Sequence, residues 1–318
     1  MNSMGAPYSM TGPAISIESL RKSYGDTLAV DGLDLTVHAG QIVGLIGPDG
    51  AGKTTTMRIL CGLLHPDSGR AQVLGFGSAT EAKRLKPHLG YMPQRFSLYP
   101  DLTVAENLRF FADLFGVTGT DRRRREDELL EFSRLAEFRA RRAGQLSGGM
   151  KQKLALSCTL IHTPQVLILD EPTTGVDPVS RREFWRILGD LAREGLALLV
   201  STPYMDEAEL CARVVLMHEG RALVEGTVDE LPGHFPADLY AVEGTHLKEA
   251  RQRLLGLEGV AVHRFGDRLH VSVEHGARIE QVRQRLEGLS TQLSQIEPTT
   301  EDLFVELTRS KRRVEVES

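Results

Sequence analysis

The sequence has no long hydrophobic run, little cysteine and few aromatics. Its longest apolar stretches are strand-sized, far short of the roughly 20 residues a membrane-spanning helix needs. Any membrane role is therefore expected to be exercised through a partner. Three cysteines, Cys61, Cys158 and Cys211, are scattered through apolar contexts in 318 residues. That excludes a disulfide framework, argues against a thiolate metal site, and fits a reducing compartment. Charge of one sign is not in large excess: 38 Lys and Arg against 43 Asp and Glu give a net −5. Such a balance offers no global attraction to DNA, RNA or anionic lipid. Met1 to Pro13 lack a basic region followed by an apolar segment, so no secretory signal is expected. There is no internal repeat.

What is present is glycine at chosen places. Gly47-Pro48-Asp49-Gly50-Ala51-Gly52-Lys53-Thr54-Thr55 follows the apolar run Ile42 to Ile46 and precedes Thr56-Met57-Arg58-Ile59-Leu60. Strand, glycine-rich turn and helix start are the context of a phosphate-binding loop. Gly47, Gly50 and Gly52 permit backbone angles and close approaches that a Cβ obstructs. The loop amides then face an oxyanion at a helix N-terminus. Lys53 adds a movable positive charge for the terminal phosphates, and Thr54 offers a hydroxyl to Mg²⁺.

Around that loop the chain reads as alternating strands and helices. Ile15 to Leu20 and Leu33 to Val37 alternate as half-buried strands. Arg21 to Gly25 between them is read as a polar turn. Tyr24 in that turn either stacks on an adenine face or simply packs. The first helix is expected from about Lys53 to Leu63, broken by His65 to Gly69. Ala71 to Gly75 is read as a strand. Leu89 to Gln94 is a strand whose carboxyl end presents Gln94, where ligands gather in open α/β sheets. Its amide is then within reach of Mg²⁺ or an attacking water. Leu102 to Ala143 has helical periodicity, with Thr103 as N-cap. The run Arg122 to Arg125 is followed at once by Glu126, Asp127 and Glu128, with no interleaved aromatics. It is read as a solvated helix face, and no nucleic-acid partner is expected.

Leu146-Ser147-Gly148-Gly149-Met150 opens another helix. Ser147 is its cap, and the two glycines expose its amides as a second anion-binding end. One nucleotide does not need two such ends in one chain, so the second is expected to serve a nucleotide held by another subunit. Val166 to Asp170 is a continuous apolar strand ending in Asp170 and Glu171. Asp170 is placed to hold Mg²⁺, and Glu171 to orient the attacking water. Asp177 follows in a rigid loop, Pro172 to Pro178. Leu196 to Thr202 is a buried strand, and Tyr204 to Leu210 is read as the start of a helix. Val214 to Met217 and Ala222 to Val224 form a hairpin turning at Glu219-Gly220. Composition changes near Pro232, Gly233 and Pro236, and a small α/β unit follows. Ser310 to Ser318 is read as a charged, frayed tail.

With these residues together, the chain strongly resembles the ATP-binding subunit of an ABC transporter, over about Ile15 to Leu231. Gly47 to Thr54 matches the Walker A motif and Tyr24 the adenine-stacking aromatic. Gln94 matches the Q-loop glutamine and Leu146 to Met150 the signature. Val166 to Asp170 matches Walker B, with Glu171 as general base and Asp177 as the D-loop aspartate. The resemblance implies an α/β fold: a P-loop ATPase domain (residues 14–231) with an antiparallel β subdomain and a helical subdomain over about 95–162. A small C-terminal α/β appendage (235–308) and a charged tail (309–318) follow. It also implies Mg-ATP as ligand, with Lys53, Gln94, Asp170 and Glu171 in catalysis and Thr54, Gln94 and Asp170 on the metal. Two copies would close head to tail on two nucleotides. Ser147, Gly148 and Gly149 of one copy would meet the nucleotide of the other. Partners would be integral-membrane permease subunits at the cytoplasmic face of the membrane. Tyr204 to Ala208 and the closing stretch Glu297 to Phe304 are similar to subunits of ABC-2-type drug exporters.

Two departures stand out. Pro203 occupies the position of the family's switch histidine and offers neither an imidazole nor a backbone donor. Slower hydrolysis, or a base oriented by other contacts, is expected. Asp49 stands where the family commonly carries Asn. Two other readings remain: a soluble ATPase of this fold acting on ribosomes or nucleic acid, and a weakly hydrolysing nucleotide-binding regulatory module.

Overall fold

The computed structural model describes residues 12–95, 98–274 and 279–317. The N-terminal stretch through residue 11 and Ser318 lie outside them. The chain divides into two compact units between Val228 and Asp229.

In the first unit, β1 (Ile15–Tyr24) and β2 (Thr27–Val37) pair antiparallel. The segment Arg21 to Gly25, expected as a turn, is strand as far as Tyr24. Cross-strand pairing continues to Tyr24 opposite Thr27, which leaves only Gly25 and Asp26 for the turn. Ladder pairing here overrides local polarity. Next come β3 (Ile42–Ile46), buried at every residue, and α1 (Lys53–Leu60). The helix ends before Leu63 because Gly62 adopts φ 65. Leu63 N–H then bonds Arg58 O at 2.9 Å and Gly62 N–H bonds Ile59 O at 3.0 Å, closing a Schellman cap. β4 (Ser68–Val73) and β5 (Phe76–Gly77) complete a sheet of order β2-β1-β4-β5.

After α2 (Ala82–Leu85) and β6 (Leu89–Met92) comes the helical part, α3 (Val104–Leu114) and α4 (Gly119–Phe132). Thr103 caps α3 as expected, in a reciprocal box with Glu106. The arginine run does not behave as a wholly solvated face. Arg125 is buried and donates through Nη2 to Leu160 O at 3.0 Å, while Nη1 pairs with Glu128 at 3.1 Å. Glu126 is buried as well. Two adjacent residues of one charged run thus face inward, which charge counting along the sequence does not reveal.

Then follow α5 (Gly148–Leu160), β7 (Val166–Asp170), α6 (Pro178–Arg193), β8 (Ala197–Thr202), β9 (Arg213–His218) and β10 (Arg221–Gly226). The sheet order is β10-β9-β3-β8-β7-β6, parallel except at β10. β7 and β8 are buried at every residue, the pattern of parallel strands covered on both faces. The β9–β10 turn falls at Glu219 and Gly220, at φ 48 and 79, a pair of left-handed residues that matches strand twist. The segment expected to start a helix at Tyr204 is a 3₁₀ turn, Met205–Leu210. Cys61, Cys158 and Cys211 are all free and buried.

The second unit contains β11 (Asp238–Gly244), α7 (Leu247–Leu254), β12 (Val260–Phe265), β13 (Arg268–Val273), α8 (Ile279–Leu286), β14 (Thr291–Gln295) and α9 (Thr300–Glu317). The antiparallel order β12-β13-β11-β14 is the split β-α-β arrangement of ferredoxin-like folds. Val242, Val262 and Val271 pack with Ala250, Leu254, Val282 and Leu286 of α7 and α8. His270 and Ser272 bond Asp302 and Glu306 of α9, at 2.6 and 2.7 Å. The unit differs from its expected bounds at both ends. It begins at Asp229, and α9 crosses the point where a frayed tail was expected. Among the described residues, no helix is long and apolar enough to cross a membrane.

Candidate active site

The carboxyl ends of β3, β7 and β8 bring three loops to one edge of the parallel sheet. Ligands bind at such edges in open α/β folds. The glycine-rich loop leaves β3 there. A Cβ on Gly47 would sit 2.2 Å from Met217 O, and one on Gly52, at φ 101, 2.3 Å from Ala29 O. Both positions therefore require glycine. The cleft beside the loop holds about 640 Å³. Tyr24, Asp49, Lys53, Thr54, Gln94 and Glu171 are among the residues that line it. Tyr24 is half exposed, so its ring is available at the rim.

Lys53 is buried. Its Nζ donates to Gly47 O at 2.6 Å and Pro48 O at 3.0 Å, and lies 3.2 Å from Glu171 Oε1. Glu171 Oε2 accepts from Gln94 Nε2 at 2.9 Å and Thr174 Oγ1 at 3.3 Å. Asp170 Oδ1 accepts from Thr54 Oγ1 at 3.1 Å and Ser201 Oγ at 2.7 Å. Asp170 Oδ2 is buried with no hydrogen-bond partner among the described residues. Burial pushes the Asp170 carboxyl above its usual range, and the adjacent Glu171 adds to this. The Ser201 and Thr54 hydroxyls and the Lys53 charge oppose it. An unpaired, buried carboxylate oxygen on a residue bonded to a threonine hydroxyl, with a glutamine amide lining the same cleft as that threonine, offers oxygen donors of the kind that suit a hard divalent cation. The residues present fit Mg²⁺.

The structure thus brings Lys53, Thr54, Gln94, Asp170 and Glu171 together. Ser147, Gly148, Gly149 and Asp177 are not among the residues lining the cleft. Ser147 caps α5, its Oγ accepting from Met150 N–H at 3.3 Å. Asp177 caps α6, accepting from Val179 N–H at 3.1 Å and Ser180 N–H at 3.0 Å. Those bonds, the Ser180 ones first, hold the Asp177 carboxyl below its usual range. The two caps adjoin each other: a Cβ on Gly149 would meet Ser180 Oγ at 2.4 Å.

Ser201 and Thr174 were not singled out by the sequence. Ser201 serves two neighbours, donating to Asp170 and accepting from Glu171 N–H at 2.9 Å. Its signal was a hydroxyl ending an otherwise apolar strand. At position 203 no donor replaces the histidine. Tyr204 N–H turns back onto Thr202 Oγ1 at 3.0 Å.

A phosphate loop at the head of a parallel sheet, with an acidic strand end facing it, defines a P-loop nucleotide-binding protein. Comparison with known proteins narrows this. The ABC transporter family pattern matches residues 30–174. A probable multidrug ABC transporter ATP-binding protein of Escherichia coli is 45% identical over 303 residues, 94% of this chain and 52% of that protein. The chain therefore spans about half the length of that relative. A Nod factor export ATP-binding protein I of Ralstonia nicotianae is 42% identical over 77% of each chain. A Nod factor export ATP-binding protein I from a Rhizobium species is 38% identical over 94% of this chain and 98% of that one. Among solved structures, an ATP-binding subunit of an ABC transporter aligns with a TM-score of 0.63 at 30% identity, covering 70% of this chain and 93% of that one. A cassette solved as a dimer in a post-hydrolysis state with ADP and Pi aligns with a TM-score of 0.61 at 26% identity, covering 67% and 98%. The chain belongs to the ABC transporter family of ATP-binding subunits, which are ATPases.

Proposed function

We propose that this chain is the ATP-hydrolysing motor subunit of an ABC-type membrane exporter. The observation that carries the reading is the convergence of Lys53, Thr54, Gln94 and Glu171 on one cleft, with Asp170 bonded to Thr54 behind them. Lys53 and the loop amides bind the β- and γ-phosphates, and Tyr24 stacks on the adenine. Thr54, Gln94 and Asp170 hold Mg²⁺, which when bound neutralises phosphate charge. A triphosphate competes with Glu171 for the Lys53 ammonium. Glu171 Oε1, once released, accepts a hydrogen bond from water and directs it in line at the γ-phosphate.

A second copy completes the site. Ser147 and Gly149 are not among the residues lining their own cleft, and Ser147 caps α5, which is consistent with a contribution in trans. The dimeric post-hydrolysis cassette is a precedent among similar proteins. Permease subunits dock on the helical part. A groove of about 400 Å³ lined by Gln94, Arg95, Leu98, Pro100, Lys151 and Gln152 shares Gln94 with the nucleotide cleft. Nearby, Tyr99 and Phe110 are partly exposed, with ring centroids 4.6 Å apart. The relatives' names, multidrug and Nod factor export, support export as the direction. The working location is then the cytoplasmic face of a membrane. The motor reading is tested by phosphate release from Mg-ATP, with and without a co-purified polytopic membrane protein. Turnover that rises with the membrane partner supports it; ATP bound but never hydrolysed in either case favours the regulatory module. Ser147→Arg should keep ATP binding by the monomer and lose turnover; full turnover would remove the trans site.

A further inference from the structure

Glu171 sits at φ 49, a left-handed backbone that a residue with a side chain keeps only where its surroundings fix it. The surroundings are specific. Its N–H faces Ser201, at 3.2 Å from the carbonyl and 2.9 Å from the hydroxyl. Its carbonyl accepts from Thr174 N–H at 3.3 Å, so residues 171–174 close a tight turn. Thr174 Oγ1 returns to Glu171 Oε2 from within that turn. Thr173, almost wholly buried, donates to Glu207 Oε1 at 2.8 Å and also meets Oε2 at 3.2 Å. Glu207 is equally buried, in the 3₁₀ turn that follows β8. Arg181 Nη1 stands 3.9 Å from Glu207, and its guanidinium lies over the Tyr204 ring at 4.5 Å.

We propose that Thr174 is a positioning residue for Glu171, and that the buried Thr173–Glu207 bond clasps the 171–174 turn to the segment after β8. The inference rests on Glu171 being the base. Position 203 supplies no donor, so the base is oriented from its own loop and from Gln94. The Thr174 hydroxyl and the Gln94 amide hold Oε2. When phosphates draw Lys53 away, Oε1 is left facing the cleft for water. Rotation about the Glu171 side chain is restricted by a group three residues along, fixed by the same turn that sets the strained backbone.

The test is steady-state ATP hydrolysis by the 318-residue chain, with Mg-ATP affinity measured separately by calorimetry. Thr174→Val should lower kcat roughly 10- to 100-fold, the cost of a misplaced catalytic group, with KM changed less than about two-fold. Thr174→Ser, which keeps the hydroxyl, should restore kcat to within about three-fold of wild type. Adding Pro203→His to Thr174→Val should recover part of the loss. Wild-type kcat in Thr174→Val overturns the proposal. So does an equal loss in Thr174→Ser, which would assign the effect to packing. A parallel fall in ATP affinity and melting temperature overturns it too. A wild-type chain that binds ATP and never hydrolyses it refutes the underlying motor reading instead, so the two failures are distinct.

Discussion

Lys53 Nζ lies 3.2 Å from Glu171 Oε1, with both side chains buried. The cation that the phosphate loop offers to a nucleotide is thus already shared with the carboxylate that faces the cleft. Each neutralises the other, and two loop carbonyls satisfy further ammonium hydrogens. On the proposed reading, a triphosphate would exchange one anionic partner of Lys53 for another, so that nucleotide binding and release of Glu171 would be one event.

Replacing Glu171 with Gln should leave ATP affinity within a few-fold and reduce phosphate release by about 100-fold or more. The amide still accepts from Gln94 and Thr174 through its oxygen but cannot take a proton. Calorimetry and phosphate release on the same preparation check both halves. Normal turnover would remove Glu171 from the role of base.

Lys53→Met leaves Glu171 buried opposite an apolar tip. Removing one member of a buried pair costs about 3 kcal/mol, and neutralising the other member relieves most of it. Denaturant midpoints without nucleotide should therefore fall in Lys53→Met and largely recover in Lys53→Met/Glu171→Gln. Additive losses in that cycle would show that the pair is not coupled. Both variants should fail to retain ATP.

Glycines of the loop should differ sharply in tolerance. Gly47→Ala drives a Cβ to 2.2 Å from Met217 O, a backbone atom that cannot rotate aside. Gly50, at φ 80, has open space where its Cβ would go. Gly50→Ala should cost about 1–2 kcal/mol, the penalty of a left-handed backbone. Gly47→Ala should cost more and abolish ATP binding. Thermal melts and ATP titration of the two variants make the comparison.

His162 predicts an acid-side loss of stability. Its ring stacks on Phe115 at 3.8 Å, and Nε2 meets Leu89 O at 3.1 Å. A carbonyl can only accept, so Nε2 carries the hydrogen. Nδ1 is buried without a hydrogen-bond partner among the described residues, and a proton there would be an unsatisfied donor. Burial pushes the His162 pKa down to about 4. Between that value and the ordinary one near 6.5 the unfolded chain binds more protons. Stability is whole above pH 6.5 and falls on acidification toward pH 4, by roughly 3 kcal/mol at most. His162→Gln should flatten the melting temperature over that window relative to wild type.

Much of the site was legible because its chemistry is local. Gly47 to Thr55 and Asp170-Glu171 each sit at a strand end, and the strands are apolar runs bounded by turns. Thr103 and Ser147 were readable as caps from the residues that follow them. What escaped depends on distant partners. Ser201 matters because β7 and β8 are neighbours, and Thr174 because a left-handed Glu171 folds the turn back on itself. Arg125 is buried because Leu160, 35 residues on, presents a carbonyl to it. β14, Thr291–Gln295, carries a weak polar alternation and becomes a strand only through its pairing with β11.

The thiols give the molecule a built-in clock. Cys61, Cys158 and Cys211 all belong to the first unit, and the second has none. Burial raises each thiol far above its ordinary range, Cys211 to about 12, so little thiolate exists at neutral pH. Alkylation of the native chain is correspondingly slow, and its rate counts openings of the ATPase unit alone, without any label having to be engineered.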